Sequence, residues 1–234
     1  MSRLLVAKFG GTSVATPERI RHAVALVRDT MPATARRLVV VSAMGRASAG
    51  QRGVTDTLLE AIAAALDRTG EHRARLEAIR RRYLDAVAAL APLEERAELR
   101  AEQNALWGEA GDLLDGVWLL RECTPRTRDA ILSFGERANA PLTAAALRES
   151  GGAAQALDAR ALIRTDSRFG HAAVDFEITR DLTRAAFAGM PTYAVAVVTG
   201  CIATDSNGVT TTLGRSGSDY TATILADALD ADEV

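Results

Sequence analysis

The side chains that could do chemistry gather in four short segments. The first is Lys8-Phe9-Gly10-Gly11-Thr12-Ser13. Paired glycines let the backbone approach a phosphate closely, and successive N–H groups can form a nest for an anion. Lys8 adds a cation, but the Gly-x4-Gly-Lys-Ser/Thr spacing of a P-loop is absent. The plain alternative is a strand-end turn with a solvated lysine. The second segment is Ser42-Ala43-Met44-Gly45, with Val54-Thr55-Asp56 beyond a polar, glycine-bearing loop. Hydroxyls so placed can hold a carboxylate. Equally, Ser42 can end a strand and Thr55 can cap a helix.

The third segment is Ser133-Phe134-Gly135-Glu136-Arg137. Glycine inside a helix costs about 1 kcal/mol relative to alanine, so it points to a close contact or a ligand. Glu136 could accept a hydrogen bond from an ammonium group, or form an ion pair within the helix. Arg137 is adjacent and does not face it. The fourth, Thr210-Thr211-Thr212-Leu213-Gly214-Arg215-Ser216-Gly217-Ser218-Asp219-Tyr220, is the most informative. Its hydroxyls, glycines, arginine and aspartate fall between a strand and a helix. Helix N-termini favour anions, and Arg215 can grip a carboxylate with two parallel hydrogen bonds. The last glycine of a Gly-x-Ser-x-Gly elbow is missing, so this is not a serine-hydrolase turn.

These segments need a scaffold. Leu4 to Phe9 reads as a buried strand closed by a glycine turn. Thr16 and Pro17 open a helix whose Ile20, Ala23, Val24 and Val27 recur at helical spacing. Leu38 to Val41 is a second strand, and strand–helix–strand in that order makes a parallel sheet. From Asp56 to about Ser150 the pattern is helical, broken at Pro92 and restarted at Thr124-Pro125. Gln155 to Leu157 is a short strand and Thr192 to Val198 a stronger one. Asn207-Gly208 suits a hairpin with Thr210 to Leu213 as its return strand. Gly214 to Asp219 reads as a loop, and Ile224, Leu225 and Ala228 mark a final helix. In open parallel sheets ligands bind at the carboxyl ends of strands, where these segments fall.

Composition narrows the rest. A net charge of −2 over 234 residues gives no basic surface for nucleic acid. Lys and Arg are almost all Arg. No apolar run reaches the roughly 18 residues of a membrane span, and no signal peptide opens the chain, so a cytoplasmic protein is expected. Cys123 and Cys201 are expected as free thiols, and no Cys/His cluster has zinc spacing.

Lys8-Phe9-Gly10-Gly11-Thr12-Ser13, Val40-Val41-Ser42-Ala43, Ser133-Phe134-Gly135-Glu136 and Thr211-Thr212-Leu213-Gly214-Arg215-Ser216-Gly217-Ser218-Asp219-Tyr220 together resemble the aspartate kinases, in order, across nearly the whole chain. The helical middle also resembles the kinase part of bifunctional aspartate kinase/homoserine dehydrogenases. The resemblance implies a three-layer α/β amino-acid kinase fold, mainly parallel, with a helical insertion. It implies transfer of the ATP γ-phosphoryl group to the L-aspartate side chain, the first step toward lysine, threonine and methionine. Lys8 would stabilise the transferring phosphoryl group, with Asp219 orienting it. Gly10, Gly11, Thr12 and Ser13 would line the ATP phosphates. Ser42, Thr55, Glu136, Arg215 and Ser218 would hold aspartate, Arg215 by its α-carboxylate and Glu136 by its ammonium, with Thr212 organising the site. Mg2+ would come with ATP, with no protein metal ligand, and the full-length enzyme would be a homo-oligomer.

Three departures from the family pattern matter, one being a loop between Ser42 and Thr55 that is longer than in some members. The family's Gly-Phe-Ile-Gly segment reads Gly200-Cys201-Ile202-Ala203 here, which changes the expected pocket wall. The family's next strand and its Thr-Asp-x-x-Gly-Val-Tyr segment are not among residues 1–234. The expectation is therefore an N-terminal portion of a catalytic domain, cut short at its C-terminus. Two other readings stay open: an aspartate-binding or chain-pairing module without turnover, and another amino-acid kinase of the same fold.

Overall fold

The computed structural model describes residues 3–234. Its strands are β1 (Leu4–Phe9), β2 (Arg36–Val41), β3 (Ala154–Leu157), β4 (Arg164–Thr165), β5 (Val195–Thr199), β6 (Ile202–Asp205) and β7 (Thr210–Thr212). Its helices are α1 (Pro17–Thr30), α2 (Val54–Leu66), α3 (Glu71–Leu90), α4 (Arg96–Leu120), α5 (Pro125–Glu149), α6 (Phe176–Ala188) and α7 (Gly217–Ala228).

The main sheet runs β1-β2-β5-β3, all parallel. Its central strands are apolar on both faces, as a parallel sheet covered on both sides requires. The alternation then sorts the residues. Leu5, Val39, Val41, Val195 and Val197 face the α1 and α5 side, while Leu4, Val6, Leu38, Val40, Ala196 and Val198 face Phe187 of α6 and Ile224 and Leu225 of α7. This is the expected three-layer α/β arrangement. A smaller sheet, β4-β6-β7, stands beside it, with β6 and β7 joined as an antiparallel hairpin. Asp205 Oδ1 accepts from the N–H groups of Asn207 and Val209 at 2.9 Å and closes that turn.

Register decides where loops emerge. Phe9 pairs with Val41, and Val41 with Thr199. The three strands therefore end level, and Gly10-Gly11, Ser42-Ala43 and Gly200-Cys201 leave side by side at the carboxyl edge. Among the described residues, no helix is long and apolar enough to cross a membrane, and both cysteines are free.

Three details differ from the sequence reading. The late strand starts at Val195, because Ala194 N–H turns back to the Pro191 carbonyl. Helix α7 begins at Gly217, so Ser218 and Asp219 sit in its first turn instead of in a loop. Helix α6 escaped the pattern because its buried face is Thr179, Thr183 and Phe187. Threonine there satisfies i, i+4, i+8 spacing without an apolar signal.

Candidate active site

Lys8, the only lysine in the chain, ends β1 with its Nζ 2.8 Å from Asp219 Oδ1 in the first turn of α7. A Cβ on Gly10 would meet Lys8 Nζ at 3.3 Å, so a side chain there would press on the ammonium group. The Gly11 carbonyl accepts from Gly45 N–H at 2.8 Å, and any Cβ on Gly45 would collide with the Gly11–Thr12 peptide. The two glycines therefore bring the β1 and β2 loops into backbone contact. Thr12 borders the resulting cleft, whereas Ser13 lines a groove beside Arg19 and His22 of α1.

Helix α5 is stapled to the β2 loop. Asn139 Nδ2 donates to the Ser42 carbonyl at 2.6 Å, Glu136 Oε1 accepts from Ala43 N–H at 3.3 Å, and Tyr83 hydroxyl accepts from Met44 N–H at 3.3 Å. The same hydroxyl donates to the Gly135 carbonyl at 2.9 Å. Gly135 now has its reason: a Cβ would stand 2.6 Å from Ala43 Cβ. Arg137 is not a partner of Glu136; it pairs with Glu109 at 3.0 Å and lies over the Phe134 ring. Burial pushes the Glu136 carboxyl up to about 7, and the Ala43 N–H only partly offsets it. A cation brought beside Glu136 would relieve that penalty.

The other wall comes from β7 and α7. Ser42 Oγ donates to Ser218 Oγ at 2.8 Å. Thr212 gives both its N–H and its hydroxyl to Asp129 of α5, each at 2.9 Å. Gly214, at φ +79°, leaves the space that His171 fills. Cys201, at φ +65°, occupies the space left open by Gly217, and Gly200 leaves room for Ser218. Burial, with Glu136 and Asp129 nearby, pushes the Cys201 thiol up to about 12, so it is a neutral wall.

Two cavities result. One of about 570 Å3 is bordered by Lys8, Gly10, Gly11, Ser42, Ser218 and Asp219. The other, about 620 Å3, is bordered by Asp129, Thr212 and the exposed Arg215. Thr55, Glu136, Cys201 and Gly214 border both, so the cavities form one cleft. Thr55 lies one residue inside α2 and is not its cap, which is Gly53. Among the described residues no group of His, Cys, Asp or Glu side chains could hold a metal ion. Sequence reasoning missed Asp129, Asn139 and Tyr83. Asp129 and Asn139 lie seven residues before and three after Glu136, a helical spacing that could have singled them out.

Comparison with known proteins agrees with this architecture. The model of the amino acid kinase family matches residues 3–234. Lysine-sensitive aspartokinase 3 of Escherichia coli is 35% identical over 100% of this chain and 48% of its own length. A bifunctional aspartokinase/homoserine dehydrogenase 2 of Zea mays is 26% identical over 98% of this chain and 24% of its own length. The crystal structure of E. coli aspartokinase III in complex with aspartate and ADP superposes with a TM-score of 0.81 at 34% identity, covering 97% of this chain and 47% of that one. The chain thus spans about half the length of the E. coli relative, and it belongs to the amino acid kinase family.

Proposed function

We propose that this chain carries the aspartate-binding half, and part of the nucleotide-binding half, of an enzyme that phosphorylates the side-chain carboxylate of L-aspartate with ATP. The observation that carries the reading is the single cleft, with a buried carboxylate at its seam, an ammonium at one end and a guanidinium at the other. In this reading Arg215 takes the α-carboxylate, Glu136 takes the ammonium, and Ser42, Thr55 and Ser218 border the path of the side chain. The similarity to a structure holding aspartate and ADP supports the same assignment.

The chemistry asks little more of the protein. The aspartate carboxylate is ionised at neutral pH and is itself the nucleophile. Its oxygen bonds to the γ-phosphorus as the bond to the β,γ-bridging oxygen breaks, leaving ADP. Such transfers depend on positioning and charge neutralisation. Lys8, held by Asp219, supplies a compact cation beside Gly10 and Gly11, which would flank the phosphates with Thr12. Mg2+ would arrive on the nucleotide, held by phosphates and water, where it would neutralise phosphate charge. A cytoplasmic setting and a homo-oligomeric full-length enzyme belong to the same proposal.

The test is calorimetric titration of the purified chain with L-aspartate, L-glutamate and MgATP, beside a coupled ADP-release assay. Saturable binding of aspartate in preference to glutamate is expected. A folded sample that binds neither amino acid overturns the reading, and preference for glutamate moves it to a different kinase of the fold. Aspartate binding without ADP release would limit this chain to substrate capture.

A further inference from the structure

Asp129 is 2% exposed, and its carboxylate is committed to two other elements. Oδ1 accepts the Thr212 hydroxyl at 2.9 Å, while Oδ2 accepts the N–H groups of Thr212 at 2.9 Å and Gly170 at 2.8 Å. Thr212 ends β7, three residues before Arg215. Gly170 belongs to the loop that carries His171 into the space left by Gly214. A fourth bond, from Ala172 N–H to the Thr212 carbonyl at 3.0 Å, ties that loop to Thr212 directly. One carboxylate therefore joins α5 to both segments that shape the Arg215 end of the cleft.

Asp129 and Glu136 lie seven residues apart on α5, two turns of one helix and about 10 Å along its axis. Both border the larger cavity. The helix is held by tertiary bonds to Ala43, to Ser42 and to the Tyr83 hydroxyl, so Asp129 is a fixed point relative to Glu136. Arg215 itself is exposed, and its backbone follows a glycine at φ +79°. Its place relative to Glu136 is set from two sides, by α7 after it and by the segment before it, which Asp129 holds.

We propose that Asp129 is a positioning residue for amino-acid recognition: it sets the spacing between Glu136 and Arg215, and hence the grip on the α-ammonium and α-carboxylate of one substrate. This rests on the aspartate reading above and adds a residue which that reading does not use. The carboxylate acts through Arg215. It does not touch substrate, since three donors already occupy it.

Calorimetry with L-aspartate on the parent chain, D129N, R215K and the double variant tests this. D129N places an amide N–H against a donor, and should weaken aspartate binding roughly tenfold. Binding of ADP should stay within about twofold of parent. R215K weakens the bidentate grip while leaving binding measurable. On that background D129N should add no more than about a twofold loss, because its target is already compromised. Parent-like aspartate binding by D129N overturns the proposal, as does a full additive loss on R215K or an equal loss of ADP binding. If D129N does not fold, T212V removes only the hydroxyl donor and replaces it in the same cycle; it should weaken aspartate binding about threefold, again without adding to R215K. A folded parent that fails to bind aspartate sinks the functional reading and this proposal with it. A parent that binds while the variants match it sinks this proposal alone.

Discussion

Lys8 Nζ and Asp219 Oδ1 stand 2.8 Å apart, joining the end of β1 to the first turn of α7 across a pair whose aspartate side chain is 62% exposed. Exposed ion pairs contribute only about 0–1 kcal/mol. The pair is therefore better suited to aim an ammonium group than to hold the fold. D219N should leave the melting temperature nearly unchanged while lowering phosphoryl transfer by roughly 10- to 100-fold. Thermal melts and ADP release, measured on one sample, separate the two effects. A large loss of stability with intact turnover would contradict this reading.

Glu136 makes the site sensitive to pH. Its folded pKa, about 7, lies above the ordinary carboxylate value of 4.5. The ammonium of an amino acid needs the ionised form, so aspartate affinity should fall as pH drops below about 7, approaching tenfold per unit. The stability sign follows from the same shift. The folded state holds this proton more tightly, so its contribution declines as pH rises from 4.5 to about 7 and is level above that. E136Q, which never ionises, should be more stable than parent at pH 8 without ligand, by up to roughly 3 kcal/mol. Its weaker aspartate binding should also lose the pH dependence. Denaturant melts and titrations at pH 6 and pH 8 check both, and a parent affinity that is flat between them would refute the role.

The contact of α5 with the β2 loop has no slack. Gly135→Ala would put a methyl 2.6 Å from Ala43 Cβ and 3.2 Å from Val54 Cγ1. Overpacking of this kind costs about 1–3 kcal/mol, despite the better helix propensity of alanine. Y83F should cost a similar amount for the opposite reason. It leaves the Met44 N–H without its partner and takes a second donor from the Gly135 carbonyl, which keeps its helical bond, and an unsatisfied buried group costs about 1–3 kcal/mol. Urea unfolding distinguishes these losses from parent directly.

The main sheet and the glycine-bearing loops were legible because their signals are local. The apolar run at Leu38 to Val41, the Gly10-Gly11 turn and the Asn207-Gly208 hairpin each declare themselves in a few residues. Helix α6 was not legible, since Thr179 and Thr183 take the core positions. Nor was the carboxylate of Asp129, whose partners lie 41 and 83 residues away in the chain. Glycine was read correctly as a sign of close approach at position 135, but the identity of the approaching atom, Ala43 Cβ, is a property of the folded chain alone.

Every other cationic residue of this protein besides Lys8 and the histidines is an arginine. The amine at the cleft is thus the only side-chain amine in the molecule, and it is partly accessible at 23%. An amine-selective reagent therefore has one side-chain target, beside the chain terminus. Mass spectrometry of the acylated peptide becomes a direct occupancy gauge for the phosphate end of the cleft. Protection by nucleotide would be read at a single residue, with no background from the rest of the surface.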